Sequence, residues 1–243
     1  MKLFCFWLGD NALSDARRSA LSTLKNTGLD VTFLRYDDLG RYINHSDLHP
    51  AFPLLCDAHK ADYLRALFMH RFGGGYSDIK WIERSWLEEV HRLEKNSHLI
   101  ASGYPEVDPL HVANNYLCQQ LLGASLPARL HSYIQTTYLR RHYRDLIGNG
   151  AFIFKPGTSF TTQWWTEVNR RLDNLHDELL QNPARFPREG KGFKIHGIPS
   201  KYPVPWVYLL GSIVHPLAMR YRHQISRNLP PLTFSTDEFS SYL

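Results

Sequence analysis

The chain has 243 residues, and 43% of them are hydrophobic, which is enough to bury a core and excludes a disordered chain. Its formal net charge of +5 favours anionic partners such as a nucleotide diphosphate, an anionic glycan or an acidic membrane surface. The basic residues are spread along the chain, and no nucleic-acid-binding motif is present, so we expect no nucleic acid partner.

Cysteine usage and the N-terminus indicate the compartment. The three cysteines Cys5, Cys56 and Cys118 are widely spaced and form no CxxC pair, which is typical of buried thiols in a reducing compartment. Residues 1–8 are too short for a signal-peptide core, and no apolar run of about 18 residues follows. We therefore expect a cytoplasmic protein that contacts the inner membrane, if at all, only peripherally.

The first elements form a β-α-β unit. Residues 2–8 (KLFCFWL) predict a buried strand, residues 14–26 a helix with Ser14 as its N-cap, and residues 31–36 a second strand. Such a unit needs a right-handed crossover between parallel strands. The opening of the chain therefore predicts an α/β fold.

The stretch that dominates the sequence is 60–81, KADYLRALFMHRFGGGYSDIKW. Its apolar residues recur at spacings of three and four as far as residue 72, which predicts a helix. The three glycines 73–75 end that helix because they tolerate positive φ. Residues 76–82 then predict a buried strand.

Two polar pairs lie in this stretch. Asp62 and Arg65 are one turn apart and share a face of the predicted helix. Asp78 and Lys80 alternate along the predicted strand and project to one side of it. The alternative to a functional role is an ion pair within the helix for Asp62 and Arg65. For Asp78 and Lys80 it is a surface ion pair that contributes little to stability.

The rest of the chain continues the α/β pattern. Further helices are predicted at 83–93, 112–122, 127–141 and 159–175, a strand at 99–103, and a helix or strand at 207–214 that ends at His215-Pro216. We predict a single domain over 1–243, in which 183–243 form a loop-rich lid and a C-terminal tail.

A small-residue turn, Gly148-Asn149-Gly150, leads into a predicted strand. Its glycines would allow close approach of the backbone, and the Asn149 amide would bond sugar hydroxyls. An ordinary left-handed turn is the alternative, and both interpretations can hold together.

The most basic segment is 138–144, which contains Arg140, Arg141 and Arg144. Cations near a helix C-terminus are favourable, and we favour a solvated helix end here. Contact with an acidic membrane or an anionic acceptor is the alternative.

The order Ala-Asp-x-x-Arg, a leucine-rich turn and Gly-Gly-x-Tyr-x-Asp resembles the glycosyltransferases with a DXD sugar-binding motif. That group includes capsular polysaccharide synthesis proteins, Och1-type mannosyltransferases and clostridial glucosylating toxins. The resemblance implies a GT-A-like, Rossmann-type nucleotide-sugar fold with a central, mostly parallel sheet flanked by helices. It also implies a retaining hexosyltransferase that moves a sugar from a UDP- or GDP-sugar to a saccharide or lipid-linked saccharide acceptor. Polysaccharide, capsule or glycoconjugate biosynthesis would be its setting.

The resemblance assigns roles to particular residues. It places Asp62 and Arg65 on the hydroxyls of the donor sugar. It places Gly74, Gly75, Tyr76 and Asp78 around the donor, and Asn149 near donor and acceptor. Trp7, at the end of the first strand, would stack on the nucleotide base; its alternative is a core residue. Late residues such as His215 and Glu238 would return to the donor, as they do in the toxins.

One departure from the family pattern bears on the chemistry. Lys80 stands where the family has the second Asp of the motif that holds Mn²⁺ or Mg²⁺. We favour catalysis that requires no metal, with the Lys80 ammonium neutralising the leaving diphosphate. The alternative is that the alternation of residues aims Lys80 away from the site and leaves a weakly bound metal on Asp78, completed by Glu238 or His215. A second hypothesis is a non-catalytic nucleotide-sugar binder or scaffold that has lost its metal.

Overall fold

A computed structural model describes residues 1–233, and its centre is a six-stranded sheet in the order β2-β1-β3-β5-β4-β8. The strands are β1 (Lys2–Trp7), β2 (Asp30–Arg35), β3 (Gly74–Ser77), β4 (Ala101–Pro105), β5 (Ile147–Phe154) and β8 (Ile225–Ser226). Two further strands, β6 (Lys194–Ile195) and β7 (Ile198–Pro199), form a small antiparallel hairpin outside this sheet.

The sheet is mixed but mostly parallel. Strand β1 is parallel to β2 and β3, and β4 is parallel to β8, whereas β5 lies antiparallel between β3 and β4. Five of the six strands therefore run the same way. The prediction of an α/β fold with a mostly parallel sheet is confirmed.

Helices cover both faces of the sheet. They are α1 (Asp15–Thr23), α2 (Asp57–Arg71), α3 (Leu87–Lys95), α4 (Asn115–Leu121), α5 (Leu126–Arg141), α6 (Ser159–Gln181) and α7 (Gly211–Arg220). Buried residues of α2, α6 and α7 form one apolar core on one face, and those of α1 and α3 form a second core on the other. Successive side chains of β1 point to opposite faces of the sheet and so contribute to both cores. Phe4 and Phe6 lie in the first core, and Leu3 and Cys5 lie in the second.

The glycines between α2 and β3 end the helix as the sequence predicts. Helix α2 ends at Arg71, and Gly73 and Gly74 adopt φ of +61° and +88°. A Cβ on Gly74 would lie 2.7 Å from the carbonyl oxygen of Lys2 on the neighbouring strand. These glycines therefore serve both the turn and the close packing of β3 on β1.

Three local predictions were wrong. Strand β3 ends at Ser77 rather than residue 82: the Asp78 N–H still bonds to the Gly150 carbonyl on β5 (2.7 Å), and the chain then turns at a bond from the Lys80 N–H to the Asp78 carbonyl (2.8 Å). Ile79 and Ile82 lie in a loop, but both are buried in the second core. Their apolar character therefore resembles that of strand residues and predicts a longer strand. The sequence could not separate strand burial from loop burial.

The second wrong prediction is the turn at Gly148-Asn149-Gly150, which lies inside β5. Gly148 and Gly150 do not adopt positive φ. A Cβ on Gly148 would fall 2.1 Å from the ring of Tyr104 on β4, so the glycine is required by the close approach of that aromatic ring.

The third wrong prediction is the helix end at His215-Pro216, which lies within α7. Pro216 leaves the carbonyl of Ser212 without its usual helical donor. His215 is fully buried, and its ring bonds outside the helix, which fixes this turn of α7 against its neighbours.

The loop-rich segment 182–205 is anchored to the rest of the fold near both ends, where the Ala184 N–H donates to the Leu54 carbonyl (3.0 Å) and the Tyr202 hydroxyl lies 3.0 Å from His59 Nδ1. Glu189 is fully buried and accepts hydrogen bonds from the backbone N–H of Arg185 and from Ser200 Oγ. Tyr202 is also buried. Lid motion remains a prediction, and these anchors would confine it to the exposed hairpin of β6 and β7.

No helix within residues 1–233 is long and apolar enough to cross a membrane.

We predict that Gly148→Ala lowers the free energy of unfolding by about 3 kcal/mol, because its Cβ would overlap the Tyr104 ring. Urea unfolding followed by circular dichroism measures the change. Gly40→Ala is the matched control, since nothing lies within 4 Å of its added Cβ, and we expect a change of at most about 0.5 kcal/mol. Equal midpoints for the two variants would contradict this packing of β4 on β5.

Candidate active site

A cavity of about 420 Å³ opens at the carboxyl ends of β1 and β3, where an open α/β sheet binds its ligands. Its wall includes the side chains of Trp7, Arg17, Asp62, Arg65, Tyr76, Asp78, Lys80, His111, Asn149, Arg188 and Trp206. The cavity therefore collects residues from the first strand, from α2, from the end of β3 and from the middle of β5.

Arg65 joins three of these elements. Its Nη2 lies 3.0 Å from Asp78 Oδ1, and its Nη1 donates to the Asn149 carbonyl at 3.1 Å. Nη1 also lies 3.7 Å from Asp62 Oδ1, and the guanidinium stacks over the Tyr76 ring with its carbon 4.4 Å from the ring centre. The planar fork can make all of these contacts at once, which a lysine could not.

Asp78 is held as a carboxylate. Burial opposes its ionisation, but the Arg65 guanidinium, the Lys80 ammonium and the Tyr76 hydroxyl (2.8 Å from Oδ1) together lower its pKa below the ordinary 3.8. Oδ1 accepts from Arg65 and Tyr76, while Oδ2 lies 3.7 Å from Lys80 Nζ. Both oxygens thus face protein donors or cations.

Asp62 is in the opposite situation. Burial raises its pKa above 3.8, the Asp78 charge adds to this, and Arg65 and His59 only partly compensate. Its ion pair with Arg65 is long, at 3.7 Å. Asp62 is therefore a buried carboxylate on the cavity wall whose charge is incompletely compensated by the described residues.

Lys80 lies on the same side as Asp78. Its side chain is mostly buried, and it lines the cavity 3.7 Å from the Asp78 carboxylate. The alternative in which the alternation of residues aims Lys80 away from the site is therefore wrong. The chain turns after Ser77, and that turn brings both side chains to one wall.

Asn149 is positioned by a buried histidine. His215 Nδ1 accepts from the Ala113 N–H at 3.0 Å, so the ring proton is on Nε2, which lies 3.1 Å from the Asn149 amide. The Asn149 nitrogen faces Nε2, and the pair is satisfied when the amide is turned by 180° so that its oxygen accepts from Nε2–H. Buried Glu106 lies 3.5 Å from the same Nε2 and 3.5 Å from Nδ1 of His111.

Trp7 lies at the carboxyl end of β1, half-buried on the cavity wall, and its indole N–H donates to the Asn11 carbonyl at 2.8 Å. A second cavity of about 460 Å³ lies beside the first and shares Leu8, Gly9 and Asp57 with it. Asp10, Arg35, Tyr36, Asp37 and Lys60 complete its wall. Together the two cavities follow the carboxyl ends of β1 and β2.

Some residues singled out by the sequence are elsewhere. Gly74 and Gly75 lie at the start of β3, where an added Cβ would meet Lys2, Leu3 or Leu29, so they pack the sheet and do not line the cavity. His215 lies behind Asn149 and is fully buried. Glu238 lies outside the described residues.

Other cavity residues escaped the sequence analysis. Arg17 of α1 is almost fully buried, and its guanidinium donates to the Ile79 carbonyl. Arg188 and Trp206 reach the cavity from the loop-rich segment, with the Arg188 guanidinium 5.2 Å from the Trp206 ring centre. Spacing within the sequence carries no signal for contacts between segments so far apart.

The described residues do not form a ready metal site. Within residues 1–233, no group of three or more His, Cys, Asp or Glu side chains is arranged to hold a metal ion. Asp78 would have to give up contact with Lys80 to bind a cation through Oδ2. Lys80 is itself no ligand while charged.

Comparisons with known proteins do not identify a family for this chain. No family model and no curated protein matches the chain. The chain is similar to a solved structure described as PaToxG Glycosyltransferase, at 10% identity and a TM-score of 0.42, over 99% of this chain and 83% of that one. This likeness is too weak to carry an assignment, which must come from the geometry of the site.

The two aspartates should affect stability in opposite directions. Because the pKa of Asp78 is lowered, its charge stabilises the fold at pH values above 3.8, and this contribution is lost as the pH falls through its folded pKa. We predict that Asp78→Asn costs about 2–3 kcal/mol at pH 7, and that the loss shrinks below pH 3.8. Urea unfolding across pH measures it.

Because the pKa of Asp62 is raised, its ionised form is a cost that is relieved as the pH falls through the folded pKa toward 3.8. We therefore predict that Asp62→Asn is neutral or stabilising by up to about 1 kcal/mol at pH 7. This variant is the matched control for Asp78→Asn. A similar loss for both variants at pH 7 would show that the two carboxylates are not held as described.

Proposed function

We propose that this chain is a glycosyltransferase with a GT-A-like fold, which moves a sugar from a UDP- or GDP-sugar to a saccharide acceptor. The observation that carries the proposal is the convergence of Asp62, Arg65, Asp78 and Lys80 on one cavity at the carboxyl ends of parallel strands. The motif resemblance places the same residue types on a nucleotide sugar.

The charge of the cavity suits a diphosphate. Among the described residues, four cationic side chains and three carboxylates line it, namely Arg17, Arg65, Lys80 and Arg188 against Asp57, Asp62 and Asp78. When the bond between the sugar C1 and the diphosphate oxygen breaks, negative charge develops on the leaving group. Fixed cations beside that oxygen stabilise the transition state more than the ground state.

Lys80 is the cation best placed to replace the metal. Its Nζ lies 3.7 Å from Asp78 Oδ2, which orients it, and a point charge on phosphate oxygens can take the part of a divalent ion. Asp78, already engaged on both oxygens, would orient Lys80 and Arg65 in this arrangement. No metal is then required; a weakly bound Mn²⁺ or Mg²⁺ is the alternative.

The remaining residues divide between sugar and base. Asp62 has unmet hydrogen-bonding capacity among the described residues and would accept from donor sugar hydroxyls. Asn149, fixed by His215, would bond hydroxyls of donor or acceptor. The two adjoining cavities would place the nucleoside over β1 and β2, with Trp7 and Tyr36 as aromatic surfaces.

A non-catalytic nucleotide-sugar binder is the second candidate. It is favoured by the same feature that weakens a metal site, namely that Asp78 is already neutralised by Arg65 and Lys80. The acceptor, saccharide or lipid-linked saccharide, and a setting in polysaccharide, capsule or glycoconjugate synthesis belong to the transferase hypothesis. A cytoplasmic location stays a prediction of the sequence.

Donor hydrolysis and transfer tested against a panel of UDP- and GDP-sugars should separate the candidates. We expect turnover that survives EDTA and falls about 100-fold or more in Lys80→Ala, because the leaving-group charge is no longer neutralised. Lys80→Arg should retain part of the activity, and Lys25→Ala, an exposed matched control, all of it. Turnover that is abolished by EDTA and restored by Mn²⁺ would contradict the role of Lys80. Tight nucleotide binding without turnover on any donor would favour the binder.

Asp62→Asn provides a test that folding cannot confound. We predict that this variant is at least as stable as the parent at pH 7 but that its turnover falls about tenfold or more, since an ionised acceptor of sugar hydroxyls is lost. Unchanged kcat and KM in a folded Asp62→Asn variant would remove Asp62 from the donor site.

A further inference from the structure

Helix α5 (Leu126–Arg141) has its polarity reversed. Its buried residues include Ser132 and Thr136, whereas Leu130 and Ile134 are each 60% exposed. A surface helix of a water-soluble protein normally buries its apolar stripe and exposes its polar one. The outward face of α5 is therefore as apolar as a face that packs against another surface.

The exposed apolar side chains form one continuous strip. Leu126, Leu130, Tyr133, Ile134 and Tyr138 are each between 48% and 76% exposed, and their spacings of three, four and one place them on one side of the helix. At 1.5 Å per residue, the 16-residue helix is about 24 Å long. Two further leucines in the preceding segment are also exposed, namely Leu117 on α4 and Leu110 before it. We call the strip on α5 the apolar face.

The chain segment that contains the apolar face carries charge of one sign. Residues 109–144 contain four arginines and three histidines but no aspartate or glutamate. Arg141 and Arg144 are exposed at the C-terminal end of α5. None of the four arginines forms an ion pair within residues 1–233, whereas Asp145, just beyond, pairs with His142 at 3.5 Å.

We propose that the apolar face of α5 docks on the surface of an anionic lipid bilayer. Leucine and isoleucine side chains would enter the boundary between head groups and acyl chains, tyrosines would sit at head-group level, and the arginines would contact lipid phosphates. The helix lies flat on the membrane and does not cross it. The proposal is independent of the transferase activity.

A bilayer explains both observations better than a protein partner. A lipid surface needs no matching side chains, only a flat apolar strip with cations at its edge, and it repels acidic residues over the whole contact. The complete lack of acidic residues over 109–144 fits that uniform field. A partner protein or a second copy of the chain is instead an outcome of the test.

Sedimentation with vesicles tests the docking. Vesicles of equal parts phosphatidylcholine and phosphatidylglycerol should pellet the full chain, and vesicles of phosphatidylcholine alone should not. The pairs Leu130→Gln with Ile134→Gln, and Arg141→Glu with Arg144→Glu, should each lower the partition coefficient about tenfold or more. Raised salt should weaken binding as well, because it screens the arginines.

Two control pairs match the test pairs. Leu180→Gln with Ile198→Gln removes equally exposed apolar side chains, and Arg84→Glu with Lys95→Glu makes the same change of net charge elsewhere. Both should bind as the parent does, and all variants should keep its circular dichroism spectrum. No binding to anionic vesicles, or equal losses in test and control pairs, would overturn the proposal. So would a concentration-dependent dimer that Leu130→Gln with Ile134→Gln abolishes while vesicles bind nothing.

A local probe shows which surface meets the lipid. The three native cysteines are buried, so Ile134→Cys can be labelled selectively with a polarity-sensitive fluorophore. Its emission should shift to the blue on anionic vesicles, while the same label at Ser22→Cys on α1 should not respond. A response at Ser22 and none at Ile134 would place the contact elsewhere and overturn the proposal.

Discussion

The contacts of the Arg65 guanidinium hold the candidate site together. This one side chain joins helix α2 to the end of β3 through Asp78, and to the middle of β5 through the Asn149 carbonyl. Without it, Asp62 and Asp78 would be two carboxylates on one wall, each raising the cost of ionising the other. The ionisation of Asp78 and, through it, the orientation of Lys80 depend on this cation, and in the proposed glycosyl transfer the positioning of the donor would depend on it as well.

The two carboxylates show how stability and function separate here. Asp78 is compensated by Arg65, Lys80 and Tyr76, so its charge contributes to the fold. Asp62 lies 3.7 Å from its cationic neighbour and is buried at a cost. A residue that opposes folding and lines a cavity is the kind expected to serve a ligand. The same reasoning applies to α5, whose exposed leucines are unfavourable in water and would be covered by the proposed contact with a bilayer.

Close packing of the sheet explains several glycines that a motif alone would assign to ligand binding. Gly74 and Gly75 let β3 approach β1, and Gly148 lets the Tyr104 ring lie on β5. In each case, an added Cβ would lie closer than 3.0 Å to a neighbouring atom. The glycine motif is therefore partly a packing motif, and it delivers Asp78 to the cavity by fixing where the strand begins and ends.

Local pattern in the sequence was enough for the β-α-β opening, the glycine end of α2, the N-cap at Ser14 and the pairing of Asp62 with Arg65 on one helix face, because these depend on neighbours within a few residues. Only the tertiary structure decided that Asp78 and Lys80 line one cavity with Arg65, that Asn149 lies in a strand beside His215, and that Arg17 and Arg188 reach the same cavity. It also decided that α5 presents its apolar side outward. Each of these depends on contacts between segments distant in sequence, and one sequence carries no record of which segments meet.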